Sequence, residues 1–363
     1  MDNLKRIAVT FSGNKVGSMA LTPEGLCAFE YAPEWIADGF SISPFELPLR
    51  PGVFVARPRP FGGGFGVFDD SLPDGWGMLV LDRYLRSQGI NPTTLNLLDR
   101  LALVGSTGRG ALSFEPDHSI TKYDDIVNFD ALATDAARIL TSDTYMGRGI
   151  EEFQRHGGSP GGARPKVSVT IDGEEWLVKF RATSDPSDIG ETEYRYSCLA
   201  RRCGIEMTET RLFEGRYFGT RRFDRTSGGG RLHVVSMAGL LGADYRVPSI
   251  DYCHIFKVGM ALTRRVDELW KIYRLMVFNY LIGNRDDHAK NFSFIRCGES
   301  WHFAPAYDLL PSHGMNGFHT TTFNDIIAPE PTDLVAIAVS FGLDRNEAKK
   351  TFDSIRAAIA QDL

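Results

Sequence analysis

At 363 residues, with 43% hydrophobic and 24% charged side chains, the chain has ordinary globular composition and exceeds the ~100–200 residues usual for one domain, so two or three cores are expected. A formal net charge of -6 argues against a surface that grips a nucleic-acid backbone by charge, and the start MDNLKRIAVTFSG alternates like a strand rather than a secretory leader. The apolar stretch Leu269 to Ile282 is broken by Lys271, Arg274 and Asn279, so no membrane span is expected, and five cysteines without C-x-x-C spacing read as reduced cytoplasmic thiols rather than a zinc site.

RIAVTF and VGSMAL flank the turn residues Gly13-Asn14 and predict an early hairpin. After Gly62-Gly63-Gly64 and FGVFDDSLPDGWG, the residues Met78, Leu79, Leu81 and Tyr84-Leu85 group on one side of a helix. Thr94 is a candidate cap for a second helix, NLLDRLALVG, which stops at Gly105. ALSFEPD closes this part as a strand, giving a β-rich N-terminal subdomain over residues 1–120. A largely polar connection leads to the helix DALATDAARIL. HGGSPGGARPK, with four glycines and two prolines, opens the hairpin VSVTI–DGE–EWLVKF. The helix ETEYRYSCLARRCG, ended by Gly204, and the strands TETRLFEG and RYFGTRRFD complete a mostly antiparallel sheet within residues 121–248. Residues 249–363 are helical in character, with a hairpin FSFIR–CGES–SWHFAPAYD. In VDELWKIYRLMVFNYLIG, Leu269, Ile272, Tyr273, Met276 and Tyr280 fall at helical spacing, widened by Val277 and Leu281, so this is a core helix. The fold class expected is α+β.

NRDDHAKNF follows that helix. A phosphoryl-transfer loop places an aspartate near the nucleophilic hydroxyl and a metal-binding asparagine five residues on, the spacing of Asp286 and Asn291; Asp287 is the fallback. A second metal-binding aspartate should arrive across a short hairpin, where Asp308 of AYDLLPS lies. A solvated helix-to-strand loop explains either motif alone; their ordered combination favours a shared divalent ion. GGSPGGARPK has the glycines to wrap phosphate oxygens but matches no strict nucleotide motif, and flexible surface linkers share its composition. Lys179 lies in an apolar strand, where an ammonium needs an anionic partner or snorkels from an edge; Glu193 of the next helix is the available glutamate. Phe223 of TRRFDR is a candidate to pack against a nucleotide base, although core packing explains a lone Phe equally well, and His288 reads as a hydrogen-bonding residue of its loop rather than a base.

SPGGARPK, the strand lysine Lys179, RFDR, DDHAKNF and AYDLLPS, in this order, resemble the HipA family of bacterial toxin kinases, and SLPDGWG and GALSFEP resemble that family's N-terminal subdomain. The resemblance implies a two-lobed protein-kinase-like fold with an added β-rich N-terminal subdomain and a helical C-terminal lobe. It implies a serine/threonine kinase acting as the toxin of a toxin–antitoxin pair. Asp286 is then the catalytic base, with Asn291 and Asp308 as Mg²⁺ ligands. The ATP-binding set is Gly161, Gly162, Ala163, Arg164, Pro165 and Lys166 of the phosphate loop, Lys179, Arg221, Arg222 and Phe223 of the adenine-side hinge, His288 and Tyr307, although Arg221 stands where a glutamate is known in the family. Ser159 falls at the autophosphorylation position, where added charge displaces the phosphate loop. A HipB-like helix-turn-helix antitoxin is the implied partner and the DNA-reading subunit, and aminoacyl-tRNA synthetases are the implied substrate class. A small-molecule phosphotransferase and a catalytically silent antitoxin-binding corepressor are the alternatives.

Overall fold

The computed structural model describes residues 3–120, 127–145, 147–157, 161–314 and 316–362. The chain forms two compact units, Met1–Glu191 with Thr210–His233, and Thr192–Glu209 with Val234–Leu363.

In the first unit, β1 (Arg6–Phe11), β2 (Asn14–Leu21), β3 (Cys27–Tyr31), β4 (Val53–Val55) and β5 (Leu112–Glu115) form an antiparallel sheet in the order β4-β3-β2-β1-β5. The hairpin turn sits one residue earlier than Gly13-Asn14. Phe11 pairs with Asn14, and Ser12 (φ 48°) and Gly13 (φ 79°) take the two left-handed positions that suit the strand twist. The helices α1 (Pro33–Asp38), α2 (Gly66–Asp69), α3 (Gly75–Ser87) and α4 (Leu97–Val104) lie among these strands in the chain. Asn96, not Thr94, caps α4. Its side chain accepts from the Asp99 N–H at 3.0 Å while Asp99 accepts from the Asn96 N–H at 2.9 Å, and Thr94 is spent in a short 3₁₀ turn led by Asn91.

The same unit continues with α5 (Phe129–Thr141), α6 (Arg148–Gly157) and a second antiparallel sheet of β6 (Lys166–Ile171), β7 (Glu174–Lys179), β8 (Thr210–Phe213) and β9 (Tyr217–Arg221), in the order β6-β7-β9-β8. One core joins Trp76 and Val80 of α3, Ile139 of α5, Ile150 and Phe153 of α6, and Val167, Trp176 and Val178 of the sheet. Burying a side chain such as Val80 contributes about 1.5–3 kcal/mol, so α3 is fastened to this core by Trp76 and Val80.

The second unit holds most of α7 (Ile189–Arg202), the sheet β10 (His233–Ser236, all but its first residue), β11 (Ser293–Cys297) and β12 (Ser300–Phe303) in that order, and α8 (Met237–Leu241), α9 (Tyr252–Thr263), α10 (Val266–Ile282), α11 (Pro331–Ser340) and α12 (Arg345–Asp362). The core stripe of α10 is wider than helical spacing suggests. Leu269, Ile272, Tyr273, Leu275, Met276, Val277, Phe278 and Ile282 are all buried, with Asn279 among them, while Tyr280 is half-buried. Gly283, at φ 67°, ends the helix as its left-handed cap. No described helix is long and apolar enough to cross a membrane.

Candidate functional site

In the second unit the segment 284–291 leaves α10, and its two adjacent carboxylates take opposite fates. Asp287 is wholly buried, whereas Asp286 is exposed. The Asp287 Oδ1 accepts the backbone N–H groups of Thr320 (2.9 Å) and Thr321 (3.1 Å). Its Oδ2 accepts the Tyr252 hydroxyl at 3.1 Å and lies 3.0 Å from His319 Nδ1. The Thr321 hydroxyl donates to the main-chain carbonyl of Asp287, and Thr320 Oγ1 donates to that of Arg285 at 3.0 Å. Asp287 therefore anchors the loop, and that anchoring turns Asp286 outward.

Asn291 closes the loop by donating from Nδ2 to the main-chain oxygen of Asp286 at 2.7 Å. His288 caps the 3₁₀ turn Ala289–Asn291, accepting from the Lys290 N–H at 3.2 Å, so its role here is local support. The Tyr307 hydroxyl donates to the Lys290 carbonyl at 2.6 Å and lies 2.7 Å from Ser293 Oγ, binding the segment before Asp308 to the loop.

A second link runs through buried amides. Tyr252 accepts from Asn279 Nδ2 at 3.1 Å, Asn279 Oδ1 accepts from Asn284 Nδ2 at 3.1 Å, and Asn284 Nδ2 also donates to the Asp308 carbonyl at 3.2 Å. Asp287 and Asp308 are thus ends of one polar chain. Burial and the neighbouring Asp287 charge push the Tyr252 phenol well above its ordinary pKa, which keeps it a hydrogen-bond donor. Asp308 is exposed and sits at φ 54°, a left-handed conformation unusual for a residue with a Cβ. Asp286, Asn291 and Asp308 thus belong to two loops joined by named hydrogen bonds. Glu193 is buried on α7 of this unit.

The first unit carries the lysine and the glycine loop. Lys179 ends β7, which is flanked on both sides by β6 and β9, so snorkelling from an edge strand does not describe it. It is 8% exposed, and its Nζ lies 5.5 Å from the centroid of the Phe218 ring. Across the ladder it pairs with Lys166, also buried, whose ammonium donates to the Gly161 carbonyl. Gly162, at φ 98°, donates its N–H to the Asp74 carboxylate and accepts the Trp76 N–H at 3.1 Å. Ala163 is exposed; Arg164 pairs with Asp185 at 3.1 Å; the Pro165 carbonyl accepts from Phe180 N at 2.8 Å. Ser159 lies outside the described residues.

RFDR has a strong structural occupation. Arg222 donates from Nε and Nη2 to Asp224 at 3.0 and 2.8 Å and faces Glu175 at 3.3 Å. Arg225 reaches the same carboxylate at 2.8 Å and the Gly108 carbonyl at 2.9 Å, and Asp224 also accepts from Gly110 N at 2.8 Å. Burial alone would raise the Asp224 carboxyl, but the two guanidinium groups and the Gly110 N–H hold it well below the usual carboxylate range. Arg221 lies 3.7 Å from Glu174, and the Arg109 guanidinium stands 5.7 Å from the Phe223 ring centroid. Nothing local in the sequence marks Asp74, Asp224, Tyr252 or Asn284 as site-forming, whereas Asn279 stands out as a polar residue in an apolar helix.

Among the described residues no group of three or more His, Cys, Asp or Glu side chains is placed to hold a metal ion. Asn291 and Asp308 offer one amide oxygen and one carboxylate, a sparse oxygen set that fits Mg²⁺ completed by ligand phosphates and water, and does not fit zinc.

Residues 158–363 match the family model described as HipA-like C-terminal domain, and residues 7–115 match the HipA N-terminal domain. Two Sinorhizobium fredii proteins are similar over most of their length. One, provisionally named kinase Y4mE, is 30% identical over 83% of this chain and 76% of its own; another, provisionally named kinase Y4dM, is 25% identical over 85% and 78%. Among solved structures, the Shewanella oneidensis MR-1 toxin–antitoxin complex of HipA, HipB and operator DNA matches with a TM-score of 0.71 and 20% identity, covering 98% of this chain and 89% of that one, a likeness of fold. With both family models accounting for most of its length, the chain belongs to the HipA family.

Proposed function

We propose that the protein is an ATP- and Mg²⁺-dependent serine/threonine protein kinase of two-lobed, protein-kinase-like fold, serving as the toxin of a toxin–antitoxin pair in the cytoplasm. The observation that carries the reading is the fate of the two aspartates after α10: buried Asp287 is bonded to the 319–321 segment, and exposed Asp286 is held on the loop that Asn291 and Tyr307 brace. An outward carboxylate on a rigid loop is suited to orient a substrate hydroxyl and accept its proton. Asn291 and Asp308 are the residues that would hold Mg²⁺, which when bound supplies charge neutralisation for the phosphates. Lys179 is assigned to the nucleotide phosphates, with Glu193 as its assigned partner, and Gly161 to Lys166 form the phosphate loop. Arg221, Arg222 and Phe223 are assigned to the adenine side, His288 and Tyr307 complete the assigned ATP-binding set, and Ser159 is the assigned autophosphorylation site.

The proposed division is an N-terminal subdomain over 1–120, a kinase N-lobe-like region over 121–248 and a helical C-lobe over 249–363; the end of the N-terminal family model at residue 115 supports the first boundary. The names of the two Sinorhizobium relatives support kinase activity. The presence of HipB and operator DNA in the Shewanella complex supports a HipB-like helix-turn-helix antitoxin as partner. DNA would then be reached through that partner, in keeping with the net charge of -6.

Labelled ATP, Mg²⁺ and a host-cell lysate test the assignment. Wild-type protein should place label on protein bands, aminoacyl-tRNA synthetases among them, and Asp286→Ala should abolish the transfer. Transfer by Asp286→Ala at the wild-type rate refutes the catalytic role; label confined to small molecules favours a small-molecule phosphotransferase, and no label at all a corepressor.

A further inference from the structure

The N-terminal segment SLPDGWG reaches the glycine loop through backbone-to-backbone apposition. Asp74 stands at the N-terminus of α3, yet its carboxylate accepts the Gly162 N–H rather than capping its own helix. The next residue, Gly75, has φ 43°, and a Cβ there would lie 2.7 Å from the Gly162 carbonyl oxygen and 2.9 Å from the Ala163 Cα. Trp76 completes the clasp by donating its N–H to the Gly162 carbonyl at 3.1 Å, and its side chain is buried in the core shared by α3, α5, α6 and the second sheet. The Asp74 end of the clasp is therefore anchored.

Glycine-rich turns bind phosphate because their N–H groups, and a lysine beside them, present donors at close range. Two such donors here already face internal acceptors: Gly162 N–H meets the Asp74 carboxylate, and the Lys166 ammonium meets the Gly161 carbonyl. One N–H cannot serve a carboxylate and a phosphate oxygen together, and the two anions repel. We propose that Asp74 is a built-in anion on the glycine loop, a positioning residue that nucleotide phosphates must displace from the Gly162 N–H on binding. The inference rests on the nucleotide-binding reading of that loop.

Titration of ATP, ADP and adenosine into the full-length wild type, Asp74→Asn and Asp74→Ala tests it. Both variants should bind ATP roughly three- to tenfold more tightly, ADP by a smaller factor, and adenosine with unchanged affinity, because only the charged ligands compete with the carboxylate. Hydrogen exchange without nucleotide should speed up over residues 161–166 in Asp74→Ala. ATP bound equally well or more weakly by both variants overturns the role of Asp74 alone, as does unchanged exchange. Failure of all three proteins to bind ATP instead removes the nucleotide reading and the competition with it. The isosteric Asp74→Asn, checked for wild-type melting, separates loss of charge from loss of fold.

Discussion

Replacing Asp287 should damage the fold of the second unit, whereas replacing its neighbour Asp286 should damage only the chemistry. The Asp287 carboxylate is fully buried and accepts two backbone N–H groups and one phenol. Asp287→Ala strands those donors in a site without water access. Each buried donor left unsatisfied costs about 1–3 kcal/mol, so a total of roughly 3–5 kcal/mol is expected after partial relaxation. Asp287→Asn should be milder, since one carbonyl oxygen can still face the Thr320 and Thr321 N–H groups; its amide then meets the Tyr252 hydroxyl, for about 1.5–3 kcal/mol. In a unit of this size each kcal/mol moves the melting temperature by about 2–4 °C, so Asp287→Ala should melt about 6–20 °C below wild type. Exposed Asp286 replaced by asparagine should melt within about 0.5 kcal/mol of wild type while losing phosphate transfer. Circular dichroism melts and labelled-ATP transfer on the same preparations read both quantities. Equal melting of Asp287→Ala and wild type would show that the buried carboxylate does not hold the loop, and the argument for an outward Asp286 would fall with it.

Tyr252→Phe should lose about 1–2 kcal/mol, and less than that in an Asp287→Ala background, because the two side chains share one hydrogen bond; a double-mutant cycle in melts measures the coupling. Asp224→Asn should destabilise the first unit by about 3–5 kcal/mol, since Arg222 and Arg225 lose the charge that offsets their burial. Because the folded carboxyl lies below its unfolded value, its contribution is full above the ordinary carboxylate range and is lost as pH falls through the folded value; acid melts below about pH 4 should therefore narrow the gap between wild type and Asp224→Asn. Lys179→Met, which removes a buried ammonium at similar volume, should reduce transfer by about 10²–10³-fold, read in the label assay with a melt of the same preparation beside it.

The hairpins and the α10 core helix were legible because period-2 and period-3.6 patterns record which face meets a core. The helix α6 was not, since only Ile150 and Phe153 carry its apolar face among polar residues, and its burial comes from α3 and α5 arriving from other parts of the chain. The cap of α4 differs from the sequence expectation for a related reason. Thr94 and Asn96 are both cap residues, and only the reciprocal bond from Asp99 decides between them. Within the candidate site, Asp286, Asn291 and Asp308 could be named from spacing, but the residues that hold them could not. Asp287 finds its partners at 252 and 319–321, a relation that no local pattern carries.

Asn279 shows how such a relation does leave a trace. It interrupts the apolar sequence of α10 yet is as buried as the leucines around it, a placement that burial energetics disfavour unless both ends of the amide are bonded. Both are: Nδ2 donates to Tyr252 and Oδ1 accepts from Asn284. A leucine at 279 would break the side-chain path that runs from Asp287 through Tyr252 and Asn284 to the Asp308 carbonyl. Positions where a sequence departs from its local hydrophobic rule are where a compensating interaction should be sought, and here the compensation joins the two loops assigned to catalysis and to metal.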